Sequence, residues 1–300
     1  MPKTTLVAIA ATVIMWGSSF PVTRTALTEM SPMELAFLRF AIASAAVAPM
    51  LLRTRLSFSA RDCALILPAG ILGVGVYATA LNFGLSRIGA GPASFIIEFG
   101  TPLTILGSAL VFGECLGRLA WIGVAVGFTG VACIASEGAA ELRLTDVRWN
   151  GAALVVLLAA ASHAASFILQ KPVLARHEPT KVAALMMLSG SLALGLVSGF
   201  PFHRLAGLST QGWACLLYLG LMPGALANAL WAHALSRLPA GRAAVALYAV
   251  PLVSQALAVT WLGEPVRSVE VLGSGLILLS LALVTFRPSR LSRTKVRLAA

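Results

Sequence analysis

Charged residues are scarce in this 300-residue chain: they make up 11% of the sequence, against 58% for the A, V, I, L, M, F, W, Y and C class. A soluble domain carries about 25% charged residues because its surface must be hydrated. This chain has too few polar groups to cover a globule in water, so we expect lipid to surround most of it. The net charge of +11 does not by itself indicate nucleic acid, because cytoplasmic loops of membrane proteins also collect Lys and Arg.

Signatures of soluble enzymes and metal centres are missing as well. The sequence contains no P-loop for nucleotide phosphates, no H-E-x-x-H zinc motif and no G-x-S-x-G elbow. Its four cysteines lie far apart, without the spacing of zinc or iron–sulfur ligands. We therefore expect no cofactor, no metal, no catalytic residue and no enzyme activity. Any uphill transport would have to use an ion gradient or exchange.

Ten long apolar segments are present instead. Each is close to the 17–25 residues that cross the roughly 30 Å hydrocarbon core as a helix, and lipid leaves backbone groups no other partner. The alternation of a membrane barrel is absent. The sequence therefore predicts an all-α integral membrane protein with ten transmembrane helices. Segments 1 to 10 cover about 4–23, 33–52, 64–86, 91–112, 118–136, 150–171, 181–201, 211–235, 241–262 and 268–286.

Basic residues predict the orientation. If the N-terminus lies in the cytoplasm, fifteen Lys and Arg residues fall on the cytoplasmic side and six on the other. This asymmetry across short loops follows the positive-inside rule. We expect both termini to be cytoplasmic, in the inner membrane of a bacterium, with the basic tail 288–300 against anionic head groups.

The two halves of the chain repeat each other. Leu-Ser-Arg87 and Leu-Ser-Arg237 stand 150 residues apart, and so do the Gly-Glu pairs that end in Glu114 and Glu264. Residues 1–140 and 150–287 thus form two repeats of five segments each. Because five is odd, the second repeat enters the membrane from the opposite side, which is the inverted plan of many secondary transporters.

Three motifs carry a family resemblance. Trp16-Gly-Ser-Ser-Phe20, Phe37-Leu-Arg39-Phe40 and Pro102 followed by Gly113-Glu114 resemble the EamA family of the drug/metabolite transporter superfamily, and Pro251 with Gly263-Glu264 matches the last motif again. Within the family the chain is most similar to YddG-type amino-acid exporters. The resemblance implies export of small metabolites through a central cavity without ATP. The second repeat departs from the pattern, because His163-Ala164 replaces Trp-Gly.

Two charged residues lie within apolar segments. A charge at the centre of a transmembrane helix costs roughly 2.5–3.5 kcal/mol on insertion scales, so it must face protein or water. Glu98 in segment 4 and Arg39 in segment 2 either pair with each other as a structural bridge or, in the case of Glu98, face a cavity. Tyr248 stands 150 residues after Glu98, and the two would supply a carboxylate and a hydroxyl to a substrate ammonium group.

Aromatic residues at matching places of the repeats predict the walls of a binding site. Trp16 and His163 occupy equivalent positions in segments 1 and 6, with packing against neighbours as the alternative to lining a cavity. His163 would also be able to carry a proton. Tyr77 and the pair Asn228 and Trp231, three residues apart on one helix face, complete the predicted site. Such walls suit an apolar or aromatic substrate.

Two prolines within the apolar segments allow two interpretations. Pro102 and Pro251 remove a helical hydrogen bond and either allow a segment to bend as a gate or only adjust packing. The sequence as a whole favours a carrier that exports amino acids, or similar amphiphiles, by alternating access. A lipid-carrier or drug translocase of the same fold and a membrane enzyme acting on lipids are the alternatives. The oligomeric state stays open.

Overall fold

The structure, a computed structural model, describes residues 3–52, 58–113, 116–137, 148–149, 151–237 and 246–285. In this part of the chain, eight helical stretches are long and apolar enough to cross a membrane, and two further apolar helices are shorter. The prediction of an all-helical membrane protein is confirmed. Glu114, Cys115, Gly241, Arg242 and the tail 288–300 lie outside the described residues.

Helices account for nearly all of the described chain, and one short pair of antiparallel strands joins segments 5 and 6. Several segments are built from two helices in succession. The helices are α1 Lys3–Ala26, α2 Pro32–Leu52, α3 Ala60–Gly70, α4 Tyr77–Leu85, α5 Ala90–Glu98, α6 Gly100–Phe112, α7 Arg118–Ala135, α8 Gly151–Leu174, α9 Pro179–Ser198, α10 Thr210–Leu219, α11 Ala227–Arg237, α12 Ala249–Leu262 and α13 Ser268–Thr285; the strands are β1 Ser136–Glu137 and β2 Arg148–Trp149.

Segments 3 and 8 are each interrupted by a π-helical stretch at the same place of the repeat. The stretch Ile71–Val76 separates α3 from α4, and Gly220–Leu226 separates α10 from α11. A π-helix shifts the hydrogen-bond register by one residue, and such stretches occur often at functional sites. Because a π-helical stretch occurs at both positions, the two repeats resemble each other in backbone geometry as well as in sequence.

Segments 4 and 9 are broken next to the predicted site residues. The backbone turns at Phe99, between α5 and α6, and at Tyr248, just before α12, with ψ angles of −14° and −19°. Pro102 and Pro251 are each the third residue of the helix that follows the break. Because proline has no N–H group, the carbonyl four residues earlier loses its helical partner, and the carbonyl in segment 4 is that of Glu98.

Equivalent helices of the two repeats run antiparallel to each other. In the contact between α7 and α13, Gly123 lies against Ser280 and Val284, whereas Gly130, further along α7, lies against Gly273. Segments 5 and 10 hold the same place in their repeats, so their opposite directions show that one repeat is inverted relative to the other.

Helix packing exchanges segments 3 and 8 between the repeats: segment 3 packs with helices of the second repeat, and segment 8 packs with helices of the first. The N-terminal helix α1 packs against α10, α11 and α12 of the second repeat, and α8, its equivalent, packs against α3, α4 and α6 of the first. In the same way α2 contacts the π-helical stretch of segment 8, and α9 contacts that of segment 3. Two mixed groups result, one built on segments 1, 2 and 8 and the other on segments 6, 7 and 3.

An acidic residue fixes each exchanged segment at its first turn. At one end of the molecule, Asp62 of α3 contacts Arg176 at 2.6 Å and His177 at 3.0 Å, both in the turn between α8 and α9. At the opposite end, Glu29 accepts hydrogen bonds from the hydroxyl and amide of Ser209, which precedes α10. The Ser209 hydroxyl holds the pKa of Glu29 below its ordinary value of 4.5. These contacts hold segments 3 and 8 in the mixed groups.

Candidate functional site

Two tryptophans form the first aromatic pair of the site. Trp16, on α1, and Trp231, on α11, place their ring centroids 5.6 Å apart at an angle of 55°. Both rings are partly exposed. The pair joins segments 1 and 8, which belong to the same mixed group, and therefore forms a preassembled apolar surface.

Backbone carbonyls of the π-helical stretch fix the polar atoms of this group. The indole N–H of Trp16 donates to the carbonyl of Pro223 at 3.3 Å. The side-chain amide of Asn228 donates to the same carbonyl at 3.3 Å and to that of Gly224 at 2.8 Å. The predicted neighbours Trp16, Asn228 and Trp231 are thus brought together, and the amide nitrogen of Asn228 is used within its own segment.

The second aromatic group consists of Tyr77, His163 and Phe167. The His163 ring lies 4.5 Å from that of Tyr77 and 4.6 Å from that of Phe167, measured between centroids. Its Nδ1 atom is buried and has no hydrogen-bond partner among the described residues. Because buried polar atoms are normally paired, this nitrogen has an unused capacity for a hydrogen bond.

The inverted repeat relates the two aromatic groups. Trp16 and His163 occupy equivalent positions in segments 1 and 6, and their partners lie in segments 8 and 3, which are equivalent as well. Each mixed group of helices thus contributes one aromatic pair. Their chemistry differs: one group pairs two indole rings, and the other pairs the phenol ring of Tyr77 with the imidazole of His163.

Glu98 and Arg39 do not pair with each other. Neither side chain forms a hydrogen bond or an ion pair with another residue in the described part of the chain. Arg39 is 8% exposed and its Nε atom is buried and unpaired, whereas Glu98 is partly exposed beside the helix break. Tyr77 interacts electrostatically with both. The bridge considered from the sequence is therefore absent, and Tyr77 stands near both charges.

Tyr248 is placed differently from Glu98, its equivalent in the repeat. Its hydroxyl donates to the carbonyl of Leu281 on α13 at 2.9 Å. The hydroxyl of Tyr248 thereby ties segment 9 to segment 10, and its ring packs with the large apolar cluster that also contacts Trp16 and Tyr77.

Tyr218 belongs to the neighbourhood of the site, although no sequence motif singles it out. Its hydroxyl lies 2.6 Å from that of Ser18, two residues after Trp16. Its position on α10, next to the π-helical stretch of an exchanged segment, depends on packing between distant parts of the chain. The only local signal is that Tyr218 is one of three tyrosines in the sequence.

The arrangement supplies the kinds of group that bind an amphiphilic molecule. Aromatic faces on two sides bury apolar groups, an unpaired carboxylate attracts a cation, and an unpaired guanidinium attracts an anion. Among the described residues, His, Cys, Asp and Glu do not form a group of three or more that would hold a metal ion.

Comparison with known proteins agrees with these features. The profile of the EamA-like transporter family matches residues 3–136 and again 150–286. A "Probable terminal-alkyne amino-acid exporter" of Streptantibioticus cattleyicolor is 31% identical over 287 residues, covering 93% of both chains. A "Probable amino-acid metabolite efflux pump" of Escherichia coli is 26% identical, covering 91% of this chain and 92% of that protein.

A solved crystal structure shares the fold. It aligns with a TM-score of 0.58 and 20% identity, covering 94% of this chain and 98% of that chain. At this identity the likeness speaks for the fold alone. Family profile and relatives together confirm the resemblance drawn from the sequence: the chain belongs to the EamA-like transporter family, and it is an integral membrane transporter, not an enzyme.

Proposed function

We propose that the protein exports amino acids, aromatic or otherwise hydrophobic, from the cytoplasm by alternating access through a cavity at mid-membrane. All ten segments would cross the membrane, with both termini in the cytoplasm, as the distribution of basic residues predicts. The names of the relatives from Streptantibioticus and Escherichia support the substrate class. The inverted packing supports the mechanism, because exchanging the conformations of two inverted halves turns an inward-open carrier into an outward-open one.

The observation that carries the proposal is the pair of repeat-related aromatic groups beside an unpaired carboxylate. Trp16 with Trp231, and Tyr77 with His163, would enclose the apolar side chain of the substrate. Glu98 would bind its ammonium group, because this carboxylate has no partner among the described residues. The carbonyl of Glu98, which loses its helical partner at Pro102, would accept a further hydrogen bond from the ammonium.

Transport of phenylalanine into proteoliposomes tests the site. We expect Glu98→Gln to weaken apparent affinity by about 10–100-fold, since a hydrogen bond to a charged group contributes about 1.5–3 kcal/mol. Trp16→Ala should weaken it by about 2–10-fold for phenylalanine and less for alanine, because an aromatic contact contributes about 0.5–1.5 kcal/mol. The matched control is Glu178→Gln, an acid with 65% of its side chain exposed, which should transport like the parent.

The panel of competitors distinguishes the substrate class. Unlabelled amino acids should reduce the transport of labelled phenylalanine. Isoprenoid lipids or phospholipids added as competitors should not reduce it. Parental activity in folded Glu98→Gln and Trp16→Ala variants would reject the site, and competition by lipid alone would reject amino-acid export in favour of a lipid translocase.

A further inference from the structure

A single carboxylate connects three helix ends on the side that the charge distribution places outside the cell. The two oxygens of Glu264, in the connection after α12, accept from the amide of Ala90 at 3.2 and 2.9 Å. One of them lies 3.1 Å from Nη1 of Arg24, at the end of α1. Only 10% of the Glu264 side chain is exposed. Two of the three groups belong to the first repeat and Glu264 to the second.

The start of α5 depends on this carboxylate. The residue before the helix, Gly89, has no side chain with which to cap it, so the first N–H groups lack local partners. Glu264 supplies the acceptor from 174 residues away, and its charge also interacts favourably with the positive end of the helix. The Ala90 amide at the α5 N-terminus thus takes its protein acceptor from the end of segment 9.

The fit at this place is close enough to be specific. A Cβ atom on Gly89 would lie 2.6 Å from a carboxylate oxygen of Glu264, and one on Gly91 would lie 1.9 Å from the amide oxygen of Gln255. Ser254 donates to the carbonyl of Ala90 at 3.1 Å. A larger residue at either glycine would displace the carboxylate of Glu264 or the amide of Gln255 from its present position.

A turn at Gly263 directs the carboxylate back toward the helices. Gly263 has a φ of +65°, a conformation that glycine adopts without strain, and the amide of Glu264 then donates to the carbonyl of Ala258 at 3.0 Å. This explains why the Gly-Glu pair is needed as a unit: glycine reverses the chain and glutamate reaches α5.

Water can reach these contacts from the same end of the molecule. A cavity of about 410 Å³ lies against them, lined by Arg24, Arg87, Glu264, Arg267 and Glu270 among others. Arg24 also donates to the carbonyl of Ile88 at 2.6 Å, so it connects α1 to the turn before α5. Below this layer lie the apolar residues that pack with Trp16 and Tyr77.

We propose that Glu264 is a positioning residue that closes the outer end of the transport path. It holds segment 4 against segments 1 and 9, and a substrate leaves toward the outside only after the contacts with Ala90 and Arg24 have broken. Because segments 4 and 9 are equivalents in an inverted repeat, their separation at this end accompanies the opposite change at the other end. This inference rests on the proposed alternating access, but not on the identity of the substrate.

Distances between spin labels test the closure directly. The labels are placed on Ser86→Cys and Val266→Cys, both exposed, in a full-length protein whose four native cysteines are replaced by alanine, reconstituted in lipid nanodiscs. Pulsed electron–electron double resonance then gives the populations of short and long distances between the two labels. We expect Glu264→Gln to increase the long-to-short ratio by about tenfold, because the closed state loses a charged hydrogen-bond partner.

Two further variants and one control complete the experiment. Arg24→Gln should shift the ratio in the same direction by a smaller factor, since Glu264 keeps its bond to Ala90, and Glu264→Asp should restore part of the closed population. Glu270→Gln, in the same cavity but bonded to the backbone amide of Arg267, should leave the ratio unchanged. An unchanged ratio in folded Glu264→Gln overturns the proposal; if that variant does not fold, an unchanged ratio in Arg24→Gln overturns it.

The experiment distinguishes failure of the proposed closure by Glu264, here called the gate, from failure of the proposed amino-acid export. If the distances shift as expected but the parent moves no amino acid, the substrate assignment fails and the gate stands. If the parent transports amino acids and the distances do not respond to Glu264→Gln, the gate fails and the function stands.

Discussion

At the scale of single residues, Arg39 is the clearest case of a group that stability does not explain. Its guanidinium is nearly buried, and its Nε atom is unpaired among the described residues. The central carbon of the guanidinium lies 5.1 Å from the centroid of the Phe40 ring. A buried charge without a counter-ion is unfavourable, and an apolar residue of similar volume is often neutral or better. We propose that transport explains its presence, because a substrate carboxylate or a group exposed in the open state would pair with it.

Replacing Arg39 by Met tests this explanation. We expect the melting temperature of Arg39→Met to equal that of the parent or to exceed it by up to about 5 °C, because the cost of burying the charge disappears. Transport in proteoliposomes should fall. Arg24→Met is the comparison, since Arg24 is paired with Glu264 and Ile88, and it should melt at a lower temperature. A lower melting temperature for Arg39→Met would show that the guanidinium is structural.

At the scale of elements, glycine decides how closely α7 and α13 approach. A Cβ atom on Gly273 would lie 2.7 Å from the carbonyl oxygen of Gly130, and one on Gly130 would lie equally close to the carbonyl of Gly273. Such contacts between small residues drive helix association in lipid, where the hydrophobic effect is lost. The packing of segments 5 and 10 thus depends on particular positions and not on apolar character in general.

Two glycines on the same helix provide a matched pair. Gly273→Ala should lower the free energy of unfolding by about 1–3 kcal/mol, the usual cost of overpacking. Gly275→Ala should leave it unchanged or raise it by about 0.5–1 kcal/mol, because nothing lies within 4 Å of the added carbon and alanine favours the helix. Thermal or denaturant unfolding in detergent measures both, and equal effects of the two substitutions would contradict the packing.

The contact of Glu29 with Ser209 predicts a pH dependence for the attachment of segment 8. Since the folded protein lowers the pKa of Glu29 from 4.5, its contribution is complete above the unfolded pKa and is lost as the pH falls through the lower folded value. Glu29→Gln should therefore melt below the parent at pH 7, and the difference should vanish in acid. Melting curves from pH 7 to about 3 measure this, with Thr28→Ala as a nearby exposed control. If Glu29→Gln still melted below the parent in acid, the ionised carboxylate of Glu29 would not be the cause of the difference.

At the scale of the whole molecule, inversion of the repeats explains why the connections divide between two faces. The contact of Asp62 with Arg176 and the contact of Glu29 with Ser209 lie at opposite ends of the molecule, because equivalent turns of inverted repeats face opposite sides. The two ends are thus built alike, with different residues. Exchanging the conformations of the two inverted halves would convert one packing into the other, as the proposed alternating access requires.

Labelling with a membrane-impermeant maleimide tests the orientation. In a cysteine-free background, Ala206→Cys should react in intact cells, because it is exposed in the connection between segments 7 and 8. Ala175→Cys, exposed in the turn between segments 6 and 7, should react only after the membrane is permeabilised. The reverse pattern would place both termini outside.

Local sequence patterns predict the positions of the helices in this protein well. Apolar length predicted the positions of the helices within a few residues, since lipid forces every long apolar stretch to satisfy its own backbone. The spacing of Pro102 and Pro251 indicated the kinks. The π-helical stretches at Ile71–Val76 and Gly220–Leu226 were not predicted, because a one-residue shift in register depends on how neighbouring helices pack.

By itself, the sequence determined that the chain is a helical membrane protein with two related halves, because composition and repeated motifs are properties of the chain alone. Only the tertiary structure decided which residues meet. It separated Glu98 from Arg39, turned the hydroxyl of Tyr248 toward Leu281 and joined Glu264 to Ala90 across 174 residues. These outcomes depend on contacts between different segments, such as those of segment 9 with segments 4 and 10, and such contacts leave no periodicity in the sequence to indicate them.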